Sequence, residues 1–408
     1  MKNQLALFSI VWHKREYRAF FLIMGLLSLA ISTTLPLITL YLVDDLHVAL
    51  STVALFFVGE SLLGLVLGLA VGRMSDGWHS RLPAMRLAAI WVAVGWLVFV
   101  VSPNLWLTLA VGGVFISAGS IIMGQAFAAL HDVMVRDAEP QPGLVNATIR
   151  TGFSFGFVLG PLLGSQLAAW VSFRAAFLVA GCLSLLCIAP LHGLRVPVAS
   201  HTPQASSQNG RGQSNALLYV FVGLCTLVLT GTALKITYLP IDVTKHLGGT
   251  IAIYGTIMAV SPIAELITMP GSGLLALRFR IGRLLSVAFV LATIEYVILF
   301  FSTSLWQVYA AQALDAVVVG ALFGLGLTYA QQLSPGRAGL ASSAFGSAFG
   351  IATLVGNLIG GAGVSLLGVP HIFFIAVVMC GVALATFLGI DRTASRQVES
   401  VGQEALSI

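Results

Sequence analysis

Residues 142–164 read PGLVNATIRTGFSFGFVLGPLLG. After the Pro142-Gly143 break, glycines fall at 152, 156, 160 and 164, four residues apart. At ~3.6 residues per turn this spacing predicts one helix with all four glycines near one face, open to close approach by a neighbouring backbone. Arg150 lies near the start of the stretch, and Pro161 follows the third glycine. The pattern recurs. Pro335-Gly336 opens a second apolar segment with glycines at 346, 350, 356 and 360, about 193 to 196 residues further on. A repeat close to half the chain, built from glycine-striped apolar helices, predicts a two-fold-repeated membrane transport fold rather than a solenoid.

Composition points the same way. The chain has 408 residues, 58% hydrophobic and 9% charged, against roughly a quarter charged in soluble domains. About twelve apolar runs are each long enough to cross a ~30 Å hydrocarbon core. The expected spans are 19–43, 51–72, 83–101, 104–127, 144–169 and 173–193, then 217–241, 250–276, 284–302, 305–331, 338–367 and 371–391, followed by a polar tail. The polar segment 194–216 contains HTPQASSQNGRGQS and predicts a flexible linker. The expected organisation is an all-α polytopic membrane protein of twelve helices: a bundle over 1–193, the linker, and a second bundle over 217–408.

The net charge of +5 does not imply nucleic acid, because the basic residues sit in short loops. With both termini cytoplasmic, the outer loops hold only Arg174 and Lys245, while Arg150 and Lys235 fall within spans. The other sixteen of the 20 Lys and Arg then lie on the cytoplasmic side, as the positive-inside rule requires. The first apolar run is full length and carries no small-residue cleavage site, so no cleavable signal is expected. Cys182, Cys187, Cys225 and Cys380 all lie inside apolar runs and read as small core residues rather than disulfides or metal ligands. The sequence holds no GxxxxGK[ST], HExxH or CxxC, and the short outer loops leave little room for a catalytic site. An enzyme, a metal and a cofactor are therefore not expected. His131 with Asp132 reads as a helix-end pair.

With these residues in view the chain resembles the major facilitator superfamily, and within it the sugar efflux transporter (SET) family. GPLLG at 160–164 resembles the motif common in exporters of the superfamily. Gly72 and Arg73-Met74-Ser75-Asp76 resemble its signature loop between helices 2 and 3. That copy departs from the pattern: Gly77 stands where an arginine usually follows the aspartate, with Arg81 further on. Closer to the SET pattern are Ala264-Glu265, Gln312, and the loop from Gln332 to Gly339 (QLSPGRAG), with Gln125 and Arg150. The resemblance implies two six-helix bundles around a cavity that opens alternately to each side. It implies export of sugars or glycosides driven by proton influx, in a bacterial inner membrane, by a monomer. The expected partners are a small polar solute, protons and the bilayer. A drug:proton antiporter of the same fold is the alternative, favoured by GPLLG and the phenylalanines of helix 5. Uptake instead of efflux, and a non-transporting membrane sensor, are further readings.

Ionisable residues inside apolar runs stand out regardless of family, because a charge at the bilayer centre costs at least ~2.5 kcal/mol and normally faces a cavity or a partner. They are Glu60, Arg150, Lys235, Glu265, Glu295 and Asp315. Asp315, ten residues into helix 10, lies about 15 Å deep at ~1.5 Å per residue, and Glu265 is similarly deep. Asp315 or Glu265 is expected to accept a proton with Lys235 as charge partner; a permanent ion pair holding helices together is the competing reading. Glu60 reads as a second proton site or part of a polar network. Glu295, on a helix that is peripheral in the resembled fold, reads as a packing residue. Arg150 is expected near Asp132 and Asp137, as a gate element or a snorkelling cation, and Asp76, Arg81, Gly160 and Pro161 join it as gating residues. Hydrogen-bonding groups suited to a sugar are Gln125, Gln312, Asn357, Asn146 and Thr34, with Tyr238 as an aromatic face. Interhelical hydrogen bonding is the plainer reading of each.

Overall fold

The computed structural model describes residues 12, 14–75, 78–101, 105–108, 110, 113–139, 142–194, 196, 215–334 and 337–406. Its long helices, in chain order, are α1 (Arg15–Leu40), α2 (Leu50–Ser75), α3 (Leu82–Val101), α4 (Gly113–Arg136), α5 (Pro142–Trp170), α6 (Phe173–Leu186), α7 (Ala216–Ile241), α8 (Ile251–Leu275), α9 (Ile281–Phe300), α10 (Leu305–Gln332), α11 (Ala338–Leu367) and α12 (Phe373–Leu406). Among the described residues, eleven helices are long and apolar enough to cross a membrane, and the apolar part of α12, Phe373–Gly389, is shorter. The chain is an all-helical, multi-pass membrane protein.

Large apolar side chains recur at helical spacing on outward faces: Leu55, Leu62, Val66 and Leu69 on α2, and Ile263, Ile267 and Leu274 on α8 are all exposed. Such rows would aggregate in water; facing lipid they cost nothing.

The chain divides into two compact units, Met1–Gln204 with Gly249–Ala259, and Ala205–Gly248 with Val260–Ile408. Within the first, α1 packs along α5 and α6, and α3 along α4 and α6. Within the second, α7 packs along α11 and α12, and α9 along α10 and α12. The two lists match helix for helix at an offset of six. A finer detail repeats too. Both α1 and α7 carry a proline near their C-terminal end, Pro36 and Pro240, and both continue as one π-helical turn, Tyr41–Asp45 and Asp242–His246.

The two largest boundary differences from expectation lie at the fourth and the last helix. The fourth helix spans Gly113–Arg136, not 104–127. Counting apolar residues ends the run at Phe127, but Ala129, Leu130, Val133 and Met134 continue a buried face at i, i+1, i+4, i+5, so the helix continues as an amphipathic one. The last helix likewise continues through the polar tail to Leu406.

At the end of α4 the first unit is pinned by ion pairs. Lys14 Nζ lies 3.3 Å from Asp137 and 3.2 Å from Glu139, Tyr17 donates to Glu139 at 2.8 Å, and Arg136 Nε donates to Asp137 at 2.7 Å. The Arg136 hydrogen bonds, with Lys14 assisting, hold the Asp137 carboxyl below its usual range. A depressed carboxylate contributes stability above its unfolded pKa of about 3.9 and loses it as pH falls through the lower folded value. Asp137→Asn should therefore unfold at a lower midpoint than the parent near neutrality, with the gap closing as pH drops below about 4. A gap that stays constant across a pH series of unfolding curves would contradict this.

Candidate functional site

Helix α9 buries Leu285, Ala288, Phe289, Ala292, Glu295, Tyr296 and Leu299, a stripe at the i, i+3, i+4, i+7 spacing of one helical face. Two alanines in that stripe let α9 approach closely, and Glu295 sits on it with an exposure of 1%. From α7, Lys235 reaches the same point, also buried. Its ammonium lies 2.8 Å from Glu295 Oε1 and 2.7 Å from Asp315 Oδ1 of α10. The other Asp315 oxygen, Oδ2, is 2.7 Å from the hydroxyl of Ser261 on α8. That hydroxyl is also 2.9 Å from Glu265 Oε1, one turn along α8. Four helices thus converge on a chain of five polar side chains, Glu265, Ser261, Asp315, Lys235 and Glu295, all inside the second unit.

The composition of this cluster is unusual for apolar surroundings. One cation touches two carboxylates, and a third carboxylate joins through the serine. Fully ionised, the five groups carry a net charge of −2. Buried charge is tolerated when paired and hydrogen-bonded and is costly in excess. The second oxygen of Glu295, Oε2, is buried and has no hydrogen-bond partner among the described residues.

Lys235 therefore meets Asp315 as expected, and Glu265 joins them at one remove. Glu295, read as a packing residue, is buried in the helix contact, and its carboxylate is in addition a direct partner of Lys235. Glu60 stays apart: half-buried on α2, it has no hydrogen-bond or ion-pair partner among the described residues.

The expected pairing of Arg150 with Asp132 or Asp137 is not formed. Asp132 is buried against Arg81, whose Nε donates to it at 2.9 Å while Nη1 donates to Ser75 at 2.6 Å; Asp137 holds Arg136 and Lys14. Arg150 is exposed, with its guanidinium 6.0 Å from the Phe127 ring. Four residues beyond the missing loop arginine, Arg81 thus supplies a buried salt bridge of its own. Asp76 lies outside the described residues. Gly160 belongs to the face of α5 that meets α1, and the buried Pro161 turns its carbonyl towards Gly255 of α8.

The polar residues expected to contact a solute fall into two groups. Some are engaged already. Thr34 Oγ1 lies 3.2 Å from the Ala30 carbonyl of its own helix. Asn357 Oδ1 accepts from Thr237 of α7 at 2.7 Å and its amide donates to Thr353 at 2.9 Å. Two others each keep an unpartnered atom among the described residues. Gln125 is buried with Oε1 unpartnered among the described residues, and the buried Tyr238 hydroxyl is likewise unpartnered. Gln312 is buried one turn before Asp315 on α10, and Asn146 is half-buried near the start of α5. A Thr237→Val, Asn357→Leu double-mutant cycle should return a coupling energy of about 0.6 kcal/mol, the average for hydrogen bonds between membrane helices. Zero coupling in unfolding measurements, with a changed KM for solute, would assign Asn357 to the solute instead.

The family model for the Major Facilitator Superfamily matches residues 20–223 and again 220–408. Among curated proteins, the chain is 24% identical over 367 residues to sugar efflux transporter B of Salmonella typhimurium, covering 88% of this chain and 92% of that one. It is 26% identical over 364 residues to sugar efflux transporter A of Dickeya chrysanthemi, with the same coverage. Among solved structures, the nucleoside transporter NupG superposes with a TM-score of 0.75 at 12% identity, covering 92% of this chain and 99% of that one; at this identity the likeness concerns the fold. The repeated helix pairing, the apolar outer faces and the family match over both halves together make this chain a member of the Major Facilitator Superfamily, a membrane transporter and not an enzyme.

Proposed function

We propose that the protein exports sugars or glycosides across a bacterial inner membrane in exchange for protons, by alternating access. The observation that carries the proton half of this reading is the buried cluster in which Lys235 faces Asp315 and Glu295 with Glu265 behind them. A site with more carboxylates than cations reaches neutrality only by holding protons, so a change in its surroundings that alters the cost of charge moves protons on or off. The sugar half is supported by the relatives, which are named as sugar efflux transporters.

In this reading Asp315 and Glu265 carry the transported proton, Lys235 is the counter-charge released when they are neutralised, and Glu60 is a second proton site. Gln125, Gln312 and Tyr238 supply contacts to the solute, assisted by Asn146, Asn357 and Thr34. Arg150, Asp76, Arg81, Gly160 and Pro161 serve the gates. The protein works as a monomer with both termini cytoplasmic, as bundles 1–193 and 217–408 joined by the linker 194–216. Under this orientation the basic residues concentrate on the inner side.

Uptake into inside-out vesicles tests the proposal. Labelled lactose, a thiogalactoside and a lipophilic cation would be supplied with and without a pH gradient. Sugar accumulation that needs the gradient and is lost in Asp315→Asn and Glu265→Gln is the expected result. Accumulation of the cation alone would instead assign drug export.

A further inference from the structure

Ser261 presents a hydrogen-bond count that does not close with ionised neighbours. Its hydroxyl carries one proton and can donate once. Yet its oxygen stands 2.7 Å from Asp315 Oδ2 and 2.9 Å from Glu265 Oε1, both normal O–H···O distances. An ionised carboxylate is acceptor-only. If both acids were ionised, one of these contacts would place two acceptor oxygens together with no proton between them, in a site where Ser261 is only 3% exposed.

From this count we infer that one of the two acids is protonated at rest and that Ser261 is the relay through which its proton passes. Asp315 is the ionised member, because its other oxygen receives the Lys235 ammonium at 2.7 Å. Glu265, half-buried and touching no cation among the described residues, holds the proton and donates it to Ser261 Oγ. The transfer conserves atoms and charge. The O–H bond of Glu265 breaks as a new one forms at Ser261 Oγ. The original Ser261 O–H breaks in the same step, and its proton bonds to Asp315 Oδ2. Glu265 is left as carboxylate and Asp315 as neutral acid, and Lys235 then has Glu295 as its one ionised partner in the cluster.

Among the described residues, the other titratable groups in reach are Lys235 on α7, Glu295 and Tyr296 on α9, and Cys380 on α12. None of them bridges Glu265 to Asp315. Ser261 acts as a positioning and relay residue and need not touch the solute. This inference deepens the proton-coupled reading above and rests on it for its role in transport, although the resting proton can be observed without any solute.

The test is difference infrared spectroscopy of the purified, full-length protein in light and heavy water, read at the carbonyl stretch of protonated carboxyl groups. At neutral pH the parent should show such a band. Glu265→Gln should remove it, and Ser261→Ala should shift it by removing its hydrogen-bond partner. Absence of the band in the parent, or its survival in Glu265→Gln, would overturn the inference. In a second arm, gradient-driven accumulation of labelled lactose should fall at least tenfold in Ser261→Ala and recover in Ser261→Thr, which keeps the hydroxyl. Undiminished accumulation in Ser261→Ala, or no recovery in Ser261→Thr, would overturn the relay while leaving the exporter reading standing. A parent protein that shows the infrared band but no gradient-driven uptake would overturn the relay's role in transport together with that reading.

Discussion

Replacing Lys235 with methionine should destabilise the protein by about 3–5 kcal/mol, the usual cost of removing one partner from a buried ion pair. The substitution keeps the chain length and the apolar stem, so packing changes little. It does remove the ammonium that lies within 2.8 Å of Glu295 and 2.7 Å of Asp315, leaving two carboxylates together in an apolar interior. The expected readout is a large fall in the midpoint of thermal unfolding in detergent. The triple replacement Lys235→Met, Glu295→Gln, Asp315→Asn should recover most of that loss, since a fully neutral site has no charge left to desolvate. It should still show no proton-driven transport. A midpoint for Lys235→Met within error of the parent would mean that the ammonium is already solvated, and the charge argument for this site would fail.

Much of this site is legible in the sequence, for a simple reason. A charged residue in a membrane helix is rare and costly, so Lys235, Asp315 and Glu265 stand out at once, and opposite charges at similar depth suggest each other as partners. The pairing of Glu295 with Lys235 is not legible, because its role is inferred from the rank of its helix in the resembled fold. Ala288, Ala292, Glu295 and Leu299 fall on one buried helical face, which agrees with packing but does not name the charge that Glu295 meets. Ser261 is invisible to sequence reasoning, because a serine in a membrane helix commonly bonds back to its own turn, as Ser28 and Ser184 do here. Only the meeting of α8 with α10 singles it out. The Arg81–Asp132 pair is hidden for another reason: its members are 51 residues apart, and no periodicity relates them. The glycine stripes are legible as packing faces, but the spacing alone does not say how much of each stripe is used.

That last point yields the second large effect. In the first unit the stripe of α5 is used along its whole length against α1. A methyl group at Gly152 would come 2.7 Å from the Phe21 carbonyl oxygen. At Gly156 it would run into the Ser28 side chain and lie 2.5 Å from the Leu29 amide; at Gly160 it would overlap Ser32. At Gly164 it would overlap the Thr33 carbonyl oxygen, which is backbone and has no rotamer to escape into. Ser32 ties the two helices together across this seam, its hydroxyl 2.8 Å from the Gly156 carbonyl. In the second unit only part of the repeat serves this purpose. Gly356 and Gly360 press on Thr230, Ala233, Leu234 and Tyr238 of α7, whereas a methyl group at Gly346 or Gly350 meets nothing within 4 Å. Alanine at Gly156, Gly160 or Gly164 should therefore cost at least the ~1–3 kcal/mol of an overpacked core, with Gly164 worst because the clash is with main chain. Alanine at Gly346 or Gly350 should be neutral or slightly stabilising, since it replaces a flexible residue in a helix interior without a clash. Expression level and unfolding midpoint of the five single variants measure the contrast directly. Equal losses at Gly164 and Gly350 would show that glycine serves both helices for some reason other than the closeness of α1, and the packing account of the stripe would have to be abandoned.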